Sequence, residues 1–255
     1  MKTIGIIGGL GPLAGAHFYR RLVELSPAQS DEDHIPVVLV SDPTIPSRIA
    51  HLSGHGHSPL QKLIEVCGKL VQVGAGAIVL PSTTTSIYQE QLAQEVPVPI
   101  LSLIDQVADV ISSQGCRRIG VLGTTPTRTF AVYENAFRSR GISAVYPDDD
   151  SQAEVMKVIR AVKGERNGLV NNDPAAGNTG NRDALASLMA RIVGIASRPW
   201  ADSLDGILLG CTELPILFPD DHSRAVLAKR FLVFSSTDIL AAAAVRVALE
   251  EVGVS

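Results

Sequence analysis

The residue best equipped for proton chemistry is Cys211, which ends the run Asp205-Gly206-Ile207-Leu208-Leu209-Gly210-Cys211-Thr212-Glu213. A continuous apolar strand followed by glycine places it at a strand-to-helix turn. There the N–H groups of a helix N-terminus lower a thiol's pKa, and the resulting thiolate is a base that works near neutrality. Burial as a small structural hydrophobe is the other common fate of a lone cysteine. The strand-end position and the neighbours Thr212 and Glu213 favour chemistry. Cys67, inside the helix-period run Leu60–Val73, and Cys116, in a turn before a strand, read as structural.

A second candidate is Pro81-Ser82-Thr83-Thr84-Thr85-Ser86, five consecutive hydroxyl residues after another apolar strand. One hydroxyl suffices to cap a helix, so the run points to ligand contact beside capping. Arg48, in Ser41-Asp42-Pro43-Thr44-Ile45-Pro46-Ser47-Arg48, follows a strand and a double-proline loop. It reads as a bidentate clamp for a carboxylate, or as a solvated surface arginine.

The turn Gly9-Leu10-Gly11-Pro12 formally meets a relaxed dinucleotide fingerprint. Pro12 removes an N–H that a pyrophosphate would use, however, and Asp42 lies beyond the usual distance of the ribose-binding acid. This turn and Gly123-Thr124-Thr125-Pro126 suit carboxylate binding better. His51, His55 and His57 lie in a Gly/Ser loop without cysteine or carboxylate at ligand spacing, and no metal site is expected there.

These residues need elements to hold them. Short β-branched runs at Thr3–Ile7, Val37–Val40, Ala77–Leu80, Pro99–Leu103, Arg118–Leu122, Ala144–Tyr146, Asp205–Leu209 and Phe231–Phe234 alternate with helix-period segments. Such alternation predicts an α/β fold of parallel sheets with helices on their faces. The chain also repeats itself. Lys2–Gly8 resembles Arg118–Gly123, Gly76–Thr83 resembles Asp205–Thr212, and Pro99–Ser102 resembles Leu232–Ser235, in one order. Two pseudosymmetric domains follow, residues 1–112 with 222–255 and residues 113–221, with one cleft between them. Lys163 to Asn181 reads as a polar Gly/Asn-rich loop, either a surface insertion or a lid over the cleft.

At 255 residues and a net charge of −4, the chain has ample length for a core and no global positive field for nucleic acid or an anionic membrane. Three widely spaced cysteines make a disulfide framework improbable and fit a reducing cytoplasm. Neither a signal peptide nor an apolar run of membrane-spanning length is found, and Ile239–Val245 reads as a packed helix.

Ile6-Ile7-Gly8-Gly9-Leu10-Gly11-Pro12, Asp42-Pro43-Thr44-Ile45-Pro46-Ser47-Arg48, Gly210-Cys211-Thr212-Glu213-Leu214 and Ser236-Thr237-Asp238-Ile239-Leu240 resemble the aspartate-racemase branch of the aspartate/glutamate racemase family. The resemblance implies two pseudosymmetric α/β domains, no cofactor, a small amino-acid or dicarboxylate substrate and a homodimer. In that family two cysteines flank the substrate α-carbon, one removing the proton and the other delivering one. Cys211 matches the second, whereas the first is replaced here by Ser82. A serine hydroxyl is a far weaker acid than a thiol and cannot serve as a base at neutral pH without a partner. By the same resemblance Arg48 binds the side-chain carboxylate, Thr84, Thr124 and Thr125 hold the α-carboxylate, and Glu213 orients the ammonium or Cys211. Gly9, Thr83, Thr85 and Thr212 complete the candidate binding set.

Three activities are compatible with these residues. One is a racemase of aspartate or glutamate with Cys211 as the strong acid/base and Ser82 as its weak counterpart. A second is a single-cysteine decarboxylase or isomerase of similar fold, in which Cys211 protonates a carbanion. The third is an amino-acid-binding protein without turnover.

Overall fold

The computed structural model describes residues 1–164 and 177–250. Two compact units divide the chain, Met1–Val107 with Thr237–Ser255, and Ala108–Ser236. The first carries β1 (Ile4–Gly8), α1 (Pro12–Leu25), β2 (Val37–Ser41), α2 (Arg48–Leu52), α3 (Leu60–Gln72), β3 (Ala77–Val79), α4 (Gln89–Glu95) and β4 (Ile100–Leu101). Its sheet is parallel, in the order β2-β1-β3-β4. Then α5 (Leu103–Ser113) leads into the second unit. That unit holds β5 (Arg118–Leu122), α6 (Thr125–Thr129), α7 (Glu134–Arg138), β6 (Ser143–Val145), α8 (Asp149–Lys163), α9 (Gly177–Ala196), β7 (Gly206–Leu209), α10 (Leu214–Leu217), α11 (Asp221–Ala228) and β8 (Leu232–Ser235). Its parallel sheet runs β6-β5-β7-β8. Finally α12 (Ser236–Leu249) supplies the C-terminal helix of the first unit.

All eight strands expected from the sequence are present, and the three internal matches pair β1 with β5, β3 with β7 and β4 with β8. Each pair occupies the same place in its own sheet. Side-chain periodicity explains the helices. In α3, Leu63, Val66, Cys67 and Leu70 recur at intervals of three and four and are fully buried. Val155, Val158, Ile159 and Val162 do the same in α8, which is capped by the Asp148 side chain at one end and by left-handed Gly164 at the other. Burial pushes the Cys67 thiol up to about 11 and raises that of Cys116, as expected of structural cysteines.

Residues 108–112, assigned by the sequence to the first half, fall in the second unit, and two larger differences from the sequence reading accompany this. The first concerns residues 222–235, which the sequence assigned to the first half. Pairing of β8 with β7, from Gly206↔Leu232 to Leu209↔Ser235, holds them in the second unit. Apolar composition marks a strand without telling which sheet it joins. The second concerns the polar loop: residues 165–176 lie outside the described residues, but Gly177–Asn181 open α9. The buried Leu188, Ile192 and Ile195 of that helix anchor it in the second core and override the poor propensity of its first turn. Among the described residues no helix is long and apolar enough to cross a membrane.

Candidate active site

In each sheet the chain leaves one central strand to one side and returns on the other, which creates a switch point between β1 and β3 and another between β5 and β7. Ligands of open parallel sheets bind beyond the carboxyl ends of strands at such points. Ser82 follows β3 and Cys211 follows β7, so the two candidate acid/base residues hold equivalent positions in their respective units.

In the first unit, Gly9 has φ +83, and a Cβ there would lie 2.3 Å from the Asp42 carbonyl. The glycine lets the turn after β1 lie directly on the Asp42 loop. Arg48, the first residue of α2, is only 9% exposed; its guanidinium donates to the Leu10 carbonyl at 2.6 Å and the Pro46 carbonyl at 3.2 Å. It braces the glycine turn against the proline loop, which excludes the alternative of a solvated surface arginine. The hydroxyl run forms a 3₁₀ turn over Thr83–Tyr88, and α2 packs against it. Ser82, Thr83, Thr84 and Thr85 are all buried. Thr85 Oγ1 donates to Ser82 Oγ at 2.7 Å, and the Thr85 N–H bonds the Ser82 carbonyl at 3.1 Å. Ser82 Oγ thus accepts from within the turn, and its own proton is left to be donated elsewhere.

The second unit builds a different device on the same plan. The N–H groups of Gly210 and Cys211 both donate to the Leu122 carbonyl, at 2.8 and 3.2 Å, while the Tyr133 hydroxyl donates to the Gly210 carbonyl at 3.2 Å. Ser236 Oγ donates to the Leu209 carbonyl at 2.8 Å. The loop is thereby fixed on every side. Cys211 Sγ donates to Glu213 Oε2 at 2.9 Å, and the other carboxylate oxygen, Oε1, meets Lys163 Nζ at 3.3 Å. Cys211 and Glu213 are 5% and 3% exposed. A buried thiol, a buried carboxylate and a half-buried ammonium therefore form one chain.

The thiol is not lowered as the sequence predicted. Burial raises it well above the ordinary cysteine range, the Glu213 charge adds to that, and Lys163 pulls the other way. The helix expected to lower it, α10, runs only from Leu214 to Leu217 and begins beyond Glu213. Cys211 accordingly rests as a protonated thiol hydrogen-bonded to the Glu213 side chain.

Thr124 caps α6, accepting from the Thr127 N–H at 3.3 Å and sharing a 2.9 Å hydroxyl contact with Thr127. Thr125 is exposed, its N–H directed at Met156 Sδ, and Thr212 is buried beside Cys211. The first unit thus gathers Gly9, Arg48 and Ser82–Thr85, and the second gathers Thr124, Thr125 and Cys211–Glu213. His51 bonds the Gly56 carbonyl at 3.1 Å, and among the described residues no three His, Cys, Asp or Glu side chains group as metal ligands. Sequence reasoning missed Lys163. Its only signal was a basic residue in the last turn of a helix ending at glycine, which reads as a dipole contact and not as a partner of Glu213.

A family model described as Asp/Glu/Hydantoin racemase matches residues 7–244. The chain is 28% identical over 165 residues to the broad specificity amino-acid racemase RacX of Bacillus subtilis (strain 168), covering 63% of this chain and 70% of that one. Among solved structures, the aspartate racemase of Picrophilus torridus superposes with a TM-score of 0.78 at 28% identity, covering 97% of this chain and 94% of that one. The glutamate racemase isoform RacE1 of Bacillus anthracis shares the fold with a TM-score of 0.64 at 16% identity, over 96% and 81% of the two chains.

Proposed function

The chain belongs to the Asp/Glu/hydantoin racemase family, and from that premise we propose that it is an amino-acid racemase of the aspartate or glutamate class that works without a cofactor. Cys211 is the strong acid/base, and the Ser82 hydroxyl serves the opposite face of the substrate α-carbon. The observation that carries the reading is the Cys211–Glu213 hydrogen bond at the carboxyl end of β7. Transfer of the thiol proton to Glu213 leaves a thiolate, which takes the α-proton; the reverse arrangement leaves a thiol, which returns one. No atom is gained or lost over the cycle.

Ser82 accepts from Thr85 and keeps its own proton to donate. It passes a proton through water, which makes that face the slow one. Arg48 takes the side-chain carboxylate, and Thr84, Thr124 and Thr125 hold the α-carboxylate whose negative charge grows as the α-proton leaves. The enzyme of this reading is a cytoplasmic homodimer. Incubation of each enantiomer of aspartate and glutamate in D2O without cofactor, followed by NMR and chiral chromatography, tests it. Loss of the α-proton signal with appearance of the opposite enantiomer is expected. No change with any of the four substrates overturns the reading.

A second reading draws support from the protonated resting state of Cys211. A single thiol, in a fold that also carries a hydroxyl-rich turn, suits protonation of a carbanion left by loss of CO2. Release of CO2 from a disubstituted malonate without α-proton exchange on amino acids supports that alternative.

A further inference from the structure

We propose that Lys163 is a positioning residue for the acid/base step, acting through Glu213 on the proton of Cys211. The two Glu213 oxygens are divided between the thiol and the ammonium, at 2.9 and 3.3 Å. Lys163 is the last residue of α8, and left-handed Gly164 ends the helix immediately after it, so the ammonium is delivered by a rigid element. Its side chain is 20% exposed and that of Glu213 4%, which places the contact in a medium where charge is weakly screened.

Consider what happens when Cys211 gives its proton to a carbon. A thiolate then stands against an ionised carboxylate, two anions in contact inside the second core, and the loss of the proton is opposed unless a cation is at hand. Glu213 and Lys163 are the charged side chains that bear on the thiol, with opposite effects, and the lysine favours the thiolate. The same ammonium engages the Glu213 oxygen that the thiol does not use, so the other oxygen stays turned toward the thiol to accept its hydrogen bond. Lys163 thus sets both the direction of the resting hydrogen bond and the ease with which the proton leaves, without touching the thiol.

This inference extends the racemase reading to the control of its acid/base group, but its test needs no substrate. Cys211 is titrated by peptide-resolved mass spectrometry of its alkylation with iodoacetamide across pH, and by thiolate absorbance near 240 nm, in full-length protein. Lys163→Met is expected to move the onset of Cys211 reaction upward by about one pH unit, roughly tenfold slower at a fixed pH, and Lys163→Arg to restore it. Glu213→Gln is expected to move the onset downward and to shrink the Lys163→Met effect when the two are combined. Should Lys163→Met fail to fold by circular dichroism, the conservative Lys163→Gln replaces it, with the same expectation. A folded variant with the wild-type onset, or a Lys163→Met effect of full size in the Glu213→Gln background, overturns the proposal. Absence of amino-acid exchange would remove the racemase reading and leave this titration decisive.

Discussion

The loops after β3 and β7 hold the same place in their sheets, yet one turns polarity inward among its own hydroxyls while the other extends it into a charged chain. At Ser82 the partner is Thr85, three residues along the same turn. At Cys211 the partners are Glu213 and, from the end of a different helix, Lys163. A repeated fold therefore fixes where a candidate acid/base group sits and leaves its surroundings to side chains that differ between the repeats. The hydroxyl loop can orient and donate. The thiol loop can also store a proton, because a carboxylate and its counter-ion stand behind it.

Replacing Cys211 with Ala breaks the comparison most severely, since it removes the group that can both give and take a proton. Exchange of the substrate α-proton is expected to fall by at least ~10³-fold with the fold intact, measured by NMR in D2O. The turns after β1 and β5 invite the same test on stability. Gly9→Ala forces a left-handed residue and drives its Cβ into the Asp42 backbone, at a cost of ~3 kcal/mol or more. Thr124→Ala, at the corresponding turn of the second unit, loses one cap worth about 1 kcal/mol. Urea unfolding of the two variants should show that gap.

Acid should also weaken the first unit. His17 in α1 is held down to about 4, first by burial and then by the neighbouring Arg20 charge, with Asp238 partly opposing. The unfolded chain takes up this proton from about 6.5 downward, so between those values the unfolded state binds more protons and stability falls as the pH drops. The gap of ~2.5 units corresponds to about 3 kcal/mol, lost between pH 6.5 and 4. Unfolding midpoints at pH 7 and 4.5 should show it, and His17→Gln should flatten the dependence. The smallest effect belongs to Thr85→Val, which removes the donor to Ser82 from a fully buried site. A stability loss of ~1 kcal/mol and a change of only a few-fold in exchange rate are expected.

Most of this architecture was legible in the residues. The eight strands, the duplication and the strand-end placement of Ser82 and Cys211 follow from period, order and glycine alone, because buried parallel strands leave a strong local signature. The affiliation of β8 was not, since sheet membership is decided by long-range pairing. Nor was the state of Cys211. Its turn suggested a helix N-terminus, but only the folded chain shows that α10 is a short helix starting beyond Glu213 and that the thiol is enclosed in the second core. Lys163 was invisible for a similar reason: a lysine at a helix end carries no mark of the carboxylate it will meet. Arg48 stands out in its double-proline loop, while its bonds to the Leu10 and Pro46 carbonyls depend on a turn geometry that composition does not encode.

The central claim is that one strong and one weak acid/base group serve opposite faces of a single α-carbon, and face-resolved deuterium wash-in tests it most directly. Single enantiomers of aspartate and glutamate are incubated in D2O with wild-type protein and with Ser82→Ala, and deuterium content is read separately in recovered substrate and in its mirror image. Wild-type protein should place deuterium in both enantiomers, while Ser82→Ala should retain exchange into the starting enantiomer and lose inversion. Undiminished inversion in Ser82→Ala, or wild-type protein that exchanges nothing, would contradict the account.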